Sequence, residues 1–408
     1  MKTITIIGIN YYPEDTAIGL YTTQLAEYLN ANSFDVNVVT GFPYYPSWRI
    51  KKKYINKRTF LNEKVNNIKI YRYKQYVPKN PTFLKRVVHL LDFTFGSFIN
   101  ILKIKNTDLV ICIVPFTSTI ILGRILSKLR KAKLWVHVQD FEFDAATESN
   151  IISKNNILLK TFFGIEKILL NSADALSTIS SAMINKLEEK SKNNIPKYLL
   201  PNWVDIDIIN PEKAIYHQYL DSNKFNILYA GNIGEKQDWQ FFLELAKRLE
   251  DNTKVEFILV GDGAKKNWIL NEVKNYTNIK YYSPVAYNEL SNLLCSADVH
   301  ILFQKNSVID TVMPSKILAM MASEKPSIIT GNLKSEVATI IKESKGGFYF
   351  KSKNLDNVLF SIGELIGNRD KAKYLGENAR KYVTENFSSQ ETLNKFKESF
   401  NRIIKNSK

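Results

Sequence analysis

Cysteine is scarce in this chain: Cys112 and Cys295 are the only two among 408 residues, and each sits inside an apolar run. Two distant thiols make neither a disulfide framework nor a metal-binding spacing, so a reducing cytosol and buried structural thiols are expected. Histidine is almost as rare, at His89, His137, His217 and His300. Glycine (16) and proline (12) are too few for a collagenous or low-complexity chain. No run approaches the about 18 uninterrupted apolar residues that suggest a membrane-spanning helix. The opening MKTITIIGINYYP is interrupted at Asn10 and Pro13, too short a run for a secretory leader and suited to a first strand. The fingerprint G-x-G-x-x-G is missing throughout, which weighs against a nicotinamide or flavin dehydrogenase.

Acidic residues are also short. The chain has 56 Lys and Arg against 40 Asp and Glu, a formal net charge of +16. The excess is local. Residues 49–105 hold 15 basic residues against only Glu63 and Asp92, a net +13, which leaves +3 for the other 351. Nucleic acid, anionic lipid and phosphate-bearing substrates all attract such a surface. No zinc spacing, helix-turn-helix or RNA-binding aromatic motif accompanies it, which disfavours nucleic acid.

What is present reads as α/β. Strand-like runs at 4–9, 36–40, 68–71, 109–114, 134–138 and 175–179 are separated for the most part by helix-like stretches at 20–29, 84–104, 118–129 and 158–171. Such alternation implies a parallel sheet covered on both faces. After an irregular segment near 200–211, bracketed by Pro201 and Pro211, the pattern restarts. Strands are expected at 226–230, 255–260, 299–303, 326–329 and 347–350, with helices at 239–249, 289–294, 315–322 and 355–365. This predicts two doubly wound domains, 1–203 and 204–385, facing a cleft. In 386–408 a further helix, with Leu393, Phe396, Phe400 and Ile403 on one stripe, packs back on the first domain. Doubly wound sheets bind ligands beyond the carboxyl ends of their strands.

Several loops at those ends carry chemistry. In YAGNIGEKQDW, Gly231 and Gly234 allow a tight turn, and Lys236 is read as opening the next helix, where N–H groups and a cation suit a phosphate. LVGDGAKKNW brings Gly261, Asp262 and Gly263, a pattern that ordinary βα turns also use. In DTVMPSKILAMMA, Pro314 marks a helix boundary, Ser315 is the expected N-cap and Lys316 lies in the first turn. A cation there opposes the helix dipole unless a bound anion supplies the opposite charge. In the first half, Glu14 and Asp15 are expected in a cleft-facing loop, with Gly19 just before a helix start. HVQDFEFDA holds His137, Asp140, Glu142 and Asp144; His137 alternates with Val136 and Val138 and suits a core position equally well.

These residues resemble family 4 retaining glycosyltransferases of the GT-B fold, in the colanic-acid, capsule and O-antigen branch that includes fucosamine-type transferases. The stretches that carry the likeness are YYPEDTAIGLYTTQLAEYL, DVNVVTGFPYYPSWRI, HVQDFEFDAA, LPNWVDIDIINP, YAGNIGEKQ, VGDGA and ADVHILFQ with DTVMPSK, in order along nearly the whole chain. The resemblance implies a UDP- or GDP-linked sugar donor on the second domain. Its diphosphate would meet Lys236, Gly231, Ser315 and Lys316, with Gly19 closing from the first domain. The nucleobase would lie near 261–263 and 283–287, including Tyr287. His137 or Asp140 would stand near an acceptor on the first domain, with Glu14, Asp15 and Glu142 beside it. The family usually has Arg where this chain has Asn232. It often has two Glu near Thr311 and Ala319, and only Asp310 is adjacent here, so ribose recognition is unassigned. Metal independence is expected, on the reading that no metal-binding Asp-x-Asp occurs.

Alternatives of other classes are a nucleotide-sugar 2-epimerase of the same architecture and a non-catalytic scaffold. With four histidines, an epimerase site looks thin. In this family the acceptor is commonly a polyprenyl-diphosphate-linked saccharide. The patch at 49–105, with an amphipathic segment at 86–104, then suits peripheral attachment to the inner face of the cell membrane. The other reading is a core helix beside solvated lysines.

Overall fold

The computed structural model describes residues 1–14, 17–115, 117–141, 157–308 and 315–405. These form two compact units, Met1–Pro201 with Leu393–Lys408, and Asn202–Thr392. The division falls two residues before the boundary read from sequence, and residues 386–392 stay with the second unit. A local bridge explains this: Val204 pairs with Ser388, its N–H donating to Phe387 O at 2.9 Å and its carbonyl accepting from Ser389 N–H at 2.9 Å.

Unit 1 contains strands β1 (Lys2–Ile7), β2 (Phe34–Gly41), β3 (Phe60–Val65), β4 (Ile68–Tyr73), β5 (Leu109–Val114), β6 (Lys133–Val138), β7 (Ala175–Thr178) and β8 (Lys197–Leu199). They order as β3-β4-β2-β1-β5-β6-β7-β8. Every pair is parallel except β3 with β4. Apolar runs such as LVICIV of β5 are buried along their whole length, as a sheet covered on both faces requires. The helices of this half are α1 (Ala17–Ala31), α2 (Phe83–Leu102), α3 (Thr119–Arg130), α4 (Ile157–Leu170) and α5 (Ser181–Lys190). Helix α2 lies against β2, β4 and α3.

Unit 2 is a six-stranded parallel sheet ordered β11-β10-β9-β12-β13-β14. Its strands are β9 (Phe225–Ala230), β10 (Val255–Val260), β11 (Ile279–Tyr282), β12 (Val299–Phe303), β13 (Ser327–Gly331) and β14 (Gly347–Lys351). Around it run α6 (Trp239–Arg248), α7 (Lys266–Glu272), α8 (Leu290–Cys295), α9 (Ser315–Ala322), α10 (Glu336–Ser344), α11 (Leu355–Gly367) and α12 (Arg369–Phe387). Side chains start several of these helices. Asp238 accepts from Phe241 N–H, Ser335 from Ala338 N–H and Asn368 from Lys371 N–H, each taking up an otherwise orphaned donor. Among the described residues no helix is long and apolar enough to cross a membrane.

The last helix, α13 (Ser389–Lys405), buries the stripe Leu393, Phe396, Phe400 and Ile403. Phe400 meets the Trp135 ring edge-on at 4.7 Å, and Phe396 meets His137 at 5.2 Å. Tyr28 of α1 donates to Asn394 at 3.5 Å, and Lys397 donates to Asn32 at 3.1 Å.

Part of the basic patch is structural. Arg72 of β4 is fully buried, paired with Glu63 of β3, and donates to Gly41 O at 3.1 Å and to Tyr12 O. Its guanidinium also lies over Tyr54 at 5.3 Å, so one cation gathers the loops that follow β1 and β2. Lys69 pairs with Asp35 at 2.9 Å, and Lys51 donates to Pro13 O at 2.6 Å.

Replacing Phe396 by Ala empties a closed position between α13 and β6. The expected cost is about 3–5 kcal/mol, read as an earlier urea transition of the full chain. A transition unchanged from wild type would show that α13 is not part of the unit 1 core.

Candidate functional site

A polar cluster of unit 2 lies where β9, β10 and β12 end. The loop after β9 crosses the loop after β10 with no room for side chains. A Cβ on Gly261 would stand 2.0 Å from Gly231 O, and one on Gly263 would stand 2.5 Å from both Asn232 Oδ1 and Ile233 O. Backbone bonds lock the crossing: Gly231 N–H to Val260 O at 2.9 Å, Ile233 N–H to Asp262 O at 2.8 Å and Lys265 N–H to Ile233 O at 2.9 Å. The Gly-x-Gly is thus needed for backbone contact between two loops. The loop after β12 joins through Lys305 N–H, which donates to Lys236 O at 3.0 Å.

Lys316, in the first turn of α9, reaches across this crossing. Its ammonium lies 3.3 Å from Tyr229 Oη and 5.0 Å from the centre of that ring. A Cβ on Gly231 would stand 2.7 Å from the same ammonium. Gly231 has φ +148°, a conformation that side-chain-bearing residues rarely adopt. Tyr229 in turn donates to Asn232 O at 2.6 Å, and burial holds its phenol protonated by pushing its pKa up. The half-buried cation sits at the positive end of a helix, which the dipole disfavours and a bound anion would reverse.

These loops carry more cations than the motif reading singled out. Lys236 is exposed in the loop, and Lys265, Lys266 and Lys305 join it. Glu235 pairs with Lys265 at 3.0 Å and Lys305 at 3.8 Å, and Asp262 pairs with Lys266 at 3.4 Å. All three added lysines lie within about six residues of a strand's carboxyl end, a signal that sequence reading could have used. Lys236 does not open a helix: α6 begins at Trp239 with Asp238 as its cap, and Lys236 lies three residues earlier. Helix α9 is described from Ser315, whose side chain, like Asp310 and Pro314, lies outside the described residues. Tyr287 opens a short 3-10 turn after β11 and is half-buried.

The expected acceptor-side residues are placed differently. His137 is buried in β6, beside its register partner Ser177 of β7. Trp135 Nε1 donates to Ser177 Oγ at 2.7 Å, and the same hydroxyl is hydrogen-bonded with His137 Nδ1 at 2.8 Å. Burial pushes the imidazole down to about 3. Of its two readings, the core histidine is the one the structure shows, because Phe396 and the sheet enclose it. Asp140, two residues past β6, is half-buried.

Glu14 is not a loop carboxylate open to a ligand. It is buried and accepts from Tyr44 N–H at 2.7 Å, Tyr45 N–H at 2.8 Å and Asn10 Nδ2 at 2.8 Å. Burial raises its pKa, while the bonds from Tyr45, Asn10 and Tyr44 and the charge of Lys51 pull it back. Gly19 lies inside the first turn of α1, where a Cβ would stand 2.8 Å from Glu14 Cβ. Asp15 and Glu142 lie outside the described residues. One Asp-x-Asp does exist, at 205–207, and the reading that there was none is corrected. Asp205 Oδ1 accepts from the N–H groups of Asp207 and Ile208 at 3.0 and 3.1 Å, closing its own turn.

The family described as Glycosyl transferases group 1 matches residues 213–382. The chain is 33% identical over 357 residues to the colanic acid biosynthesis glycosyl transferase WcaI named in Escherichia coli (strain K12), covering 84% of this chain and 86% of that one. Among solved structures, sucrose-phosphate synthase from Thermosynechococcus elongatus superposes with a TM-score of 0.75 at 14% identity, covering 99% of each chain. The Anabaena protein HepE, solved with UDP-glucose, gives 0.69 at 13% identity, covering 98% of this chain and 100% of that one. At such identities the likeness is one of fold, and that fold is GT-B.

Two outcomes follow. Gly231→Ala forces the Lys316 ammonium away, so stabilisation of the folded chain by inorganic pyrophosphate should shrink while the fold persists; an undiminished thermal shift would separate Lys316 from the anion. His137 and His300 both hold imidazoles near 3, below the ordinary value of about 6.5. The unfolded chain then binds protons that the folded one refuses. Stability is full above about pH 6.5 and falls as pH drops toward 3, by about 1.4 kcal/mol per pH unit for each group. Urea unfolding of wild type and His137→Gln across that window should show a shallower slope for the variant.

Proposed function

This chain belongs to the group 1 glycosyl transferases, in the colanic-acid-related branch, and from that premise we propose that it is a retaining, family 4 hexosyltransferase of cell-surface polysaccharide synthesis. Its donor is a UDP- or GDP-linked sugar and its acceptor a polyprenyl-diphosphate-linked saccharide of capsule, O-antigen or lipopolysaccharide type. The observation that carries the reading is Lys316, held over Gly231 at the start of α9 where a diphosphate would supply the missing negative charge. The solved complex of HepE with UDP-glucose supports a donor of this class.

In the proposed reaction the bond between the sugar's anomeric carbon and the β-phosphate oxygen breaks, and the acceptor hydroxyl oxygen forms the new glycosidic bond on the same face. The hydroxyl proton passes to the departing phosphate oxygen, and a nucleoside diphosphate leaves. No protein base is required, which agrees with His137 lying in the core. The chain's own contribution is to hold the diphosphate against Lys236 and Lys316 and to stabilise the charge that grows on it. These lysines would do this without a divalent ion. Asp140 remains the acceptor-side candidate, and the acceptor's lipid places the work at the inner, anionic face of the cell membrane.

Lys316→Ala and Lys236→Ala, made singly, should each slow sugar transfer by about 10- to 150-fold, the value of one charge-assisted bond to phosphate at about 1.5–3 kcal/mol. Wild-type rates in both would move the donor elsewhere. A thermal-shift panel of nucleotides and sugar nucleotides identifies the base. Release of an epimerised sugar nucleotide without acceptor would replace transfer by epimerisation. Nucleotide release with a defined acceptor would dispose of the scaffold reading.

A further inference from the structure

Helix α2 is amphipathic in the reverse sense. The residues it buries include His89, Thr94, Ser97 and Asn100, beside Phe93 and Ile101. Its exposed side carries Leu84, Val88, Leu91, Phe95, Phe98 and Leu102, with Leu84 and Phe95 each 74% exposed. The intervals of four, three, four, three and four residues set these six in one stripe along the helix, about 30 Å long. Single exposed leucines are ordinary, but a continuous apolar stripe marks a surface that something covers.

The charges around the stripe identify the occupant. Lys85 and Arg86 are exposed at its amino end and Lys103 and Lys105 at its carboxyl end. Arg130 of α3 donates to Ile104 O at 2.7 Å and adds a cation there. The only acid of the helix, Asp92, is engaged by Tyr73 Oη at 3.0 Å and Tyr76 N–H at 2.6 Å. Apolar side chains between two groups of cations match acyl chains beneath anionic headgroups. A second copy of the same face would set cation against cation.

We propose that the outer face of α2 lies in the interfacial plane of an anionic bilayer, as an insertion element built into the core of unit 1. This deepens the reading of a lipid-linked acceptor, and it rests on that reading for its purpose. The helix is also joined to the loops after β1 and β2. Arg86 lies over the Trp48 ring at 5.3 Å, and Tyr44 packs on Trp48 at 5.3 Å and on His89 at 4.8 Å. Glu14 accepts from the Tyr44 N–H at 2.7 Å, so docking of the helix would set the height of these loops above the headgroups.

The test is co-sedimentation of the full chain with phosphatidylcholine vesicles, with and without phosphatidylglycerol. Wild type should bind the anionic vesicles and not the neutral ones. A Leu84→Ser, Phe95→Ser double variant should bind about tenfold or more weakly, since two large side chains no longer enter the acyl region. Both positions are exposed, so its thermal midpoint and its stabilisation by nucleotide should stay at wild-type values. Lys52→Glu with Lys53→Glu should also weaken binding and reduce its salt dependence. Lys51 is left alone because its ammonium holds Pro13 O. Undiminished vesicle binding by the serine variant would overturn insertion, as would wild type that binds neither vesicle. Lipid-free wild type that self-associates and becomes monomeric on the serine substitutions would overturn it in favour of a second copy. Absence of any nucleotide-induced shift in wild type would instead sink the donor reading, whatever the vesicles show.

Discussion

The carbonyl oxygen of Gly231 occupies the place where a side chain on residue 261 would begin. From that close approach the rest of the donor-side geometry follows. Two parallel strands, β9 and β10, end in loops that touch backbone to backbone, and the contact is sealed by Ile233 and Lys265 N–H groups. With no Cβ on Gly231, the Lys316 ammonium can lie over it and reach Tyr229. A side chain at Gly261 would push the loops apart, whereas one at Gly231 would meet only Lys316 and lift its ammonium away. The G-x-G here is a packing requirement that creates an electrostatic one, which is why its bare pattern could not distinguish an ordinary turn from a ligand site.

Most of the framework was legible because burial on both faces leaves a plain mark. Runs such as LVICIV and VEFILV have no polar side, or only one polar member, and mark strands within a residue or so. Elements that lack this mark were missed. β3 reads FLNEKV, half polar, because it is the antiparallel edge of its sheet. β8 and β11 are short edge strands of three and four residues. α12, RDKAKYLGENARKYVTENF, buries only Leu375, Gly376, Ala379 and Val383, a stripe too thin to stand out among its charges.

The site residues divide in the same way. Lys316 was singled out because a cation in the first turn of a helix contradicts the dipole, and a contradiction is visible in one dimension. Glu14 and His137 misled because a polar residue after an apolar strand looks alike whether it turns toward a ligand or back into the protein. What decides is a partner distant in sequence: Tyr44 and Tyr45 for Glu14, Ser177 and Phe396 for His137. Ser177 and Phe396 carry no motif, and although Tyr44 and Tyr45 lie in the stretch DVNVVTGFPYYPSWRI, nothing in it points to Glu14. Their effect is to convert two titratable groups into structural ones.

The basic patch shows how charge and burial must be read together. As a net +13 over 49–105 it suggested one continuous positive surface. In the fold, Arg72 goes wholly inside, Lys69 is neutralised by Asp35, and Lys51 clamps a loop carbonyl. Of what is left outside, Lys85, Arg86, Lys103 and Lys105 flank α2, whose exposed face is apolar and whose buried face is half polar. A helix that merely completed a core would have its apolar side inward, since each buried methylene is worth about 0.8 kcal/mol. Keeping six large apolar side chains in water and several polar ones inside forgoes that gain. In such an arrangement β2, β4 and α3 hold the helix by its other side, and the proposed bilayer is where the water over its outer face would be replaced.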